Sequence, residues 1–210
     1  MRAVVFDLDG TLVDSLADIA GHLNTALAEA GLPPREAADV RSWVGGGIAQ
    51  LVTLAVADST RVADVVARYR SHYRAAPFGR THVYAGLDGV LDRLAGTYVL
   101  GILSNKPQDL VSAIAAGLLA RWSFAVVAGE RAERPRKPDP RALVAVAEEL
   151  GVAPAECALV GDSDIDILTA RAAGATSIAV TWGLTDRDVL EAAKPDHLVS
   201  TPAELAALFA

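Results

Sequence analysis

The sequence predicts an α/β protein, a doubly wound, Rossmann-like parallel sheet with an all-helical segment inserted after its first strand. Short apolar runs without a helical period recur at 4–8, 98–103, 124–127, 158–160 and 177–180, the pattern of strands buried on both faces. Amphipathic helical stretches separate the later runs, and such alternation calls for right-handed crossovers. From about residue 16 to residue 80 the alternation stops, and only helical patterns occur. The expected boundaries are therefore a core of 1–15 and 81–210, and an insert of 16–80.

Asp7 and Asp9 stand two apart at the end of the first strand, so they share a face, and Gly10 lets the backbone turn sharply after them. Two buried, unpaired anions would cost several kcal/mol each. Something positive is expected against them, and a hard cation with oxygen ligands is the simplest candidate.

Asp14 and Ser15 then offer an N-cap to a helix with an apolar stripe of Leu16, Ile19, Ala20, Leu23, Leu27 and Ala30, stopped by Gly31. His22 lies on the polar side of that stripe and is expected in solvent. Leu32, Pro33 and Pro34 make a turn. A helical stretch through Trp43, a glycine break at Gly45, Gly46 and Gly47, and helical patterns through Ala57 and Tyr73 complete the insert. Trp43 is expected in the insert's own core. Among the later strands lie predicted helices at 88–95, 108–118, 140–150 and 165–173, the last two closed by Gly151 and Gly174. Residues 197–199 can add a short strand, and the final helix carries Thr201 with Glu204 as a capping box and Pro202 in its first turn.

A hydrophobic fraction of 52% with 21% charge, over 210 residues, describes a chain that buries a sizeable core. A formal charge of -7 argues against nucleic acid or an anionic membrane as the main partner. No apolar run reaches the length of a membrane span and Met1 leads straight into the first strand, so a cytoplasmic location is expected. Cys157 is the sole cysteine, which precludes an intrachain disulfide, and it is read as a small buried residue.

Ligands of open α/β sheets bind beyond the carboxyl ends of the strands. Polar residues gather there: Asp7 and Asp9, then Ser104, Asn105 and Lys106, then Asp162, Ser163, Asp164 and Asp166, with Lys137 in the loop before a helix. Each has a bland reading, as a helix cap, a dipole partner or a solvated loop lysine. Together they complement one another around a divalent metal and a phosphate.

The run Asp7-Leu8-Asp9-Gly10-Thr11-Leu12-Val13-Asp14-Ser15, with Ser104-Asn105-Lys106, Lys137-Pro138 and Gly161-Asp162-Ser163 plus Asp166, resembles the four ordered signatures of the haloacid dehalogenase superfamily. The insert resembles that superfamily's alpha-helical cap. Within it, Gly31-Leu32-Pro33 and Arg41-Ser42-Trp43-Val44-Gly45 resemble the phosphoglycolate phosphatase branch.

This resemblance implies a magnesium-dependent phosphatase acting on a small phosphorylated metabolite, with phosphoglycolate the leading substrate. It implies Asp7 as nucleophile, forming an aspartyl phosphate, and Asp9 as general acid and base. Magnesium would be held by Asp7, the Asp9 carbonyl and Asp162, with Asp166 supporting the site. The Ser104 hydroxyl and the Asn105 backbone N–H would donate to the phosphate, and Lys137 would neutralise it together with the nucleophile. Neighbouring carboxylates would keep Asp9 protonated. In the cap, Arg41, Gly45, Gly46 and Gly47 are the candidate substrate contacts. Beta-phosphoglucomutase-like sugar-phosphate mutases share the signatures but carry a cap histidine where this chain has Ile19, and metal-free dehalogenases lack the counterpart of Asp9. A non-catalytic phospho-accepting protein is the remaining alternative. The substrate itself and the oligomeric state are not legible.

Overall fold

In the computed structural model, which describes residues 1–209, the first strand lies at the centre of a six-stranded parallel sheet. Strands β1 (Ala3–Phe6), β4 (Val99–Pro107), β5 (Phe124–Glu130), β6 (Cys157–Gly161), β7 (Thr176–Val180) and β8 (His197–Val199) are ordered β5-β4-β1-β6-β7-β8. The chain winds outward from β1 to β5, returns to the other side of β1, and winds outward again. The reversal falls between β1 and β6, and such a switch point opens a crevice at the strands' carboxyl ends.

Alternate residues of each strand feed two cores. Val4, Phe6, Leu100, Ile102, Ala158 and Val160 pack on one face against α5 (Leu87–Ala95), α6 (Gln108–Leu118) and α10 (Pro202–Ala207). Ala3, Val5, Leu103 and Leu159 pack on the other against α7 (Arg141–Glu149) and α8 (Asp164–Ala173). Each fully buried large side chain contributes about 1.5–3 kcal/mol. Cys157 is buried, as expected, and burial raises its thiol pKa, which keeps it protonated and inert.

Helices α1 (Leu16–Glu29), α2 (Ala37–Trp43), α3 (Ile48–Ala55) and α4 (Val62–Ala75) gather around an apolar cluster of their own, which includes every residue of the predicted α1 stripe. Where the chain leaves and rejoins the core, β2 (Val13–Asp14) and β3 (His82–Val83) pair antiparallel, Val13 with Val83 and Asp14 with His82. Two-residue strands have no period to read in a sequence. The buried Asp18 reinforces this neck: its carboxylate accepts from the Arg80 and Thr81 amides, both at 2.8 Å, and from the Thr81 hydroxyl at 2.6 Å. Burial alone would raise its pKa, but these donors outweigh that and lower it.

Several local expectations need correction. The Ser15 hydroxyl does not cap α1 but donates to Asp9 at 2.6 Å, leaving Asp14 to accept from the Leu16 amide at 3.3 Å. His22 is half-buried: a ring nitrogen lies 2.9 Å from the Ala76 carbonyl oxygen and its ring centroid 4.8 Å from that of Tyr73. Burial pushes its pKa down, which favours the neutral ring. The capping box at α10 is half-formed, since Thr201 accepts from the Glu204 amide while the Glu204 carboxylate takes the Ser200 amide instead. Helix α9 (Arg187–Ala193) was not anticipated, being short and polar, with only Leu190 fully buried. Among the described residues, no helix is long and apolar enough to cross a membrane.

Candidate active site

The carboxyl ends of β1 and β6 bring three carboxylates together: Asp7, Asp162 and Asp166 each place an oxygen within 4.8 Å of the others, all buried. Gly10 makes this packing possible. Its φ is +83°, and a Cβ there would stand 2.2 Å from Asp162 Oδ2. Asp162 is oriented by the Thr11 hydroxyl at 3.2 Å and the Leu184 amide at 2.7 Å. Asp166, in the first turn of α8, accepts from the Ser163 hydroxyl at 2.6 Å. Asp164 opens the same helix but lies outside the acidic group.

One cation answers these anions. Lys137 Nζ lies 2.6 Å from Asp166 Oδ1 and 2.9 Å from Asp7 Oδ1. Burial would push the lysine's pKa down, yet Asp166 and Asp7 outweigh it and hold the ammonium charged. The approach to Asp7 is off the angle of a hydrogen bond, so this buried oxygen has no hydrogen-bond donor. Burial, against the pull of Lys137 and with a push from Asp166, raises Asp7 to a pKa of about 7. Burial followed by repulsion from Asp7 and Asp166 raises Asp162 to about 8. An orphaned carboxylate oxygen in an all-oxygen, excess-negative cluster suits a hard divalent cation. Asp166 stands as close as the two expected carboxylates, so the donor set is larger than the sequence suggested.

Asp9 sits apart from this group, and the neighbours expected to be carboxylates are a lysine and a serine. Lys106 Nζ is 2.9 Å from both Asp9 oxygens, and it donates to the Tyr73 hydroxyl at 2.6 Å while lying 4.3 Å from that ring's centre. Ser104 is buried against the cleft, its Oγ accepting from the Lys106 amide at 3.3 Å. The Asn105 side chain is spent on architecture. It accepts from the Lys137 amide at 2.8 Å, and donates to the Lys137 carbonyl at 2.9 Å and the Gly45 carbonyl at 2.8 Å. One amide thereby ties the lysine loop to the glycine break of the insert.

The cleft between sheet and insert is walled on the insert side by Ile19, Val44, Ile48, Leu51, Tyr69 and Tyr73. Of the four candidates there, Gly45 and Gly47 line it. Gly46 turns its carbonyl to Arg136, at 3.1 Å. Arg41 does not reach the cleft; it clasps the far loop through the Gly183 carbonyl at 3.4 Å and Asp186 at 3.5 Å. Trp43, half-buried, both packs on the insert's apolar cluster and faces the cleft. Sequence reasoning missed the placement of Lys106, Tyr69 and Tyr73 in the cleft. Lys106 was visible as part of a signature, but its partners lie 97 and 33 residues away. The i, i+4 spacing of the two tyrosines on one helix face was the available signal.

A family model for haloacid dehalogenase-like hydrolase matches residues 1–174. The chain belongs to the haloacid dehalogenase-like hydrolase family. A phosphoglycolate phosphatase from Xanthomonas campestris pv. campestris (strain 8004) is 39% identical over 210 residues, covering 97% of this chain and 94% of that protein. One from Rhodospirillum rubrum is 38% identical over 200 residues, covering 90% and 83%. Among solved structures, a protein described as a predicted phosphoglycolate phosphatase from Haemophilus somnus 129PT superposes with a TM-score of 0.93 at 26% identity, covering 100% of this chain and 98% of that one. This haloacid dehalogenase-like hydrolase is a phosphatase of the phosphoglycolate phosphatase-like branch, with the α/β fold expected of it.

Proposed function

We propose that the enzyme hydrolyses a small phosphorylated metabolite, phosphoglycolate first among them, in the cytoplasm, by way of an aspartyl phosphate on Asp7. The observation that carries the reading is the Asp7 oxygen at the sheet's switch point, buried, without a hydrogen-bond donor and 2.9 Å from Lys137. Asp7 attacks phosphorus, the bond to the leaving oxygen breaks, and Asp9 relays to that oxygen the proton that the substrate's phosphate monoanion brings with it. Asp9 then takes a proton from the water that cleaves the acyl phosphate, restoring Asp7. Lys137 balances charge on the nucleophile and the transferring group, Ser104 donates its hydroxyl to that group, and the Asn105 side chain fixes the lysine loop.

Asp7, the Asp9 carbonyl and Asp162 would hold magnesium, with Asp166 beside them; when bound it supplies positive charge against the phosphate oxygens. The helical unit 16–80 acts as a cap that excludes water. The acidic net charge supports a small-molecule partner over nucleic acid. Ile19, an apolar residue in the cleft wall, disfavours the sugar-phosphate mutase reading, which needs a histidine there.

The test is phosphate release from a panel of small esters, with magnesium and with chelator. Rapid, metal-dependent hydrolysis of one ester supports the reading. Isomerisation of beta-glucose phosphate without hydrolysis overturns it.

A further inference from the structure

Lys106 is a buried cation whose hydrogens are already spent within the protein. An ammonium has three hydrogens to give. Here Nζ donates to Asp9 Oδ1 and Oδ2, both at 2.9 Å, and to the Tyr73 hydroxyl at 2.6 Å. Among the described residues it pairs with Asp9 and with no member of the acidic triad, which Lys137 serves instead. A lysine loses much rotamer freedom when it is fixed, and this one is fixed closely. Its ammonium lies 4.3 Å over the Tyr73 ring, and that ring packs on Tyr69, edge to face at 5.5 Å, and on His22 at 4.8 Å. Asp9, in turn, is held unevenly. Its Oδ1 accepts from Lys106 and, at 2.6 Å, from Ser15, whereas Oδ2 accepts from Lys106 alone. A carboxylate oxygen has room for two donors, so Oδ2 keeps a free lone pair on a residue that lines the cleft.

Resting on the phosphatase reading, we propose that Lys106, braced by Tyr73, is a positioning residue for proton transfer, fixing the Asp9 carboxylate so that Oδ2 is its working oxygen. In the first half-reaction Oδ2 takes the proton of the phosphate monoanion and passes it to the leaving oxygen as the bond to phosphorus breaks. In the second it takes a proton from the water that attacks the aspartyl phosphate, then yields it to the departing phosphate. Lys106 itself touches neither phosphate nor leaving group, and its effect reaches the reaction through Asp9. With Ser15 as its sole remaining side-chain partner, the Asp9 carboxylate would be free to swing about that hydrogen bond. A misplacement of about 1 Å costs a reacting group about a hundredfold in rate.

The test uses two aryl esters of equal charge and similar size: phenyl phosphate, whose leaving oxygen needs a proton, and para-nitrophenyl phosphate, whose leaving oxygen is stable without one. Lys106→Met keeps an unbranched stem and removes the ammonium. Tyr73→Phe keeps the ring and removes the hydroxyl, a milder change should the first variant not fold. With magnesium, Lys106→Met is expected to lower kcat/KM about a hundredfold for phenyl phosphate and less than about threefold for the nitrophenyl ester. Tyr73→Phe is expected to lower it about tenfold for phenyl phosphate and hardly at all for the other. Because hydrolysis of the shared intermediate also needs Asp9, kcat and KM for the nitrophenyl ester fall together in Lys106→Met. Equal losses on both esters in both variants overturn the proposal while leaving the phosphatase reading standing. Should the parent act on neither ester, crystal structures of the variants decide: an Asp9 carboxylate that keeps its place in both overturns the proposal, and one that moves off it supports it.

Discussion

With no cation in the acidic cluster, the enzyme is expected to lose stability as pH rises, the reverse of the usual behaviour of paired carboxylates. Asp7 and Asp162 are raised from 3.8 to about 7 and about 8 in the folded protein. Over the interval between those values and the unfolded one, the native state holds protons that the unfolded chain has released, so raising the pH favours unfolding. At 1.36 kcal/mol per unit, the cost is roughly 4 kcal/mol for Asp7 and roughly 6 kcal/mol for Asp162. Asp7 is one of the groups that raise Asp162, so the two costs overlap in part, and the combined loss lies between about 6 kcal/mol and the sum of about 10 kcal/mol. That is a large part of the roughly 5–15 kcal/mol typical of a domain. The assay is urea unfolding followed by circular dichroism, in chelator, from about pH 5 to about pH 8. Magnesium added at the upper pH restores stability by binding the folded state alone. Asp162→Asn flattens the pH dependence. Stability in chelator that is constant or rises across this range, in both parent and variant, would refute the account of the acidic cluster.

Three further substitutions probe other parts of the molecule. Asp7→Asn is expected to abolish turnover while raising stability in chelator, because one of three crowded charges is gone; native circular dichroism with substantial residual hydrolysis would sink the nucleophile assignment. Asp18→Ala strands the buried Thr81 hydroxyl and the Arg80 and Thr81 amides, and is expected to cost about 3 kcal/mol in urea unfolding. Gly47→Ala forces a side chain onto a φ of +86° with the Asn105 carbonyl 3.3 Å away. A strain of about 1–3 kcal/mol, borne where the insert meets the sheet, should reduce kcat/KM about tenfold and lower Tm by roughly 2–10 °C. An unchanged kcat/KM would mean that the loop moves freely aside.

The core was legible because its chemistry sits in short local patterns. Buried parallel strands are continuous apolar runs, and the site residues follow them directly, so Asp7, Ser104 and Asp162 fall at one sheet edge by counting alone. Helix α6 occupies the span that apolar periodicity predicts. What stayed hidden depends on distance. Ser15 looks like a cap until Asp9 is seen beside it, and the surroundings of Asp9 were misread because Lys106 arrives from a strand 97 residues on. Arg41 resembled a substrate contact because a cation near a glycine break suggests a phosphate, yet its partners Gly183 and Asp186 are loop residues that no local pattern connects to it.

The neck at Val13 and Val83 sets how the two halves of the molecule can change. Its paired strands hold the two ends of the excursion side by side, so to the sheet the whole helical insert is a hairpin turn of unusual length. The entropy of closing such a loop grows only slowly with the number of residues in it. Helices can therefore be lengthened, exchanged or rebuilt beyond the neck at little expense to the sheet, provided the Asp18 clasp and the glycine contacts survive. On the proposed function, chemistry and discrimination are inherited through separate stretches of chain, and a new substrate could be acquired without disturbing Asp7 and Asp9.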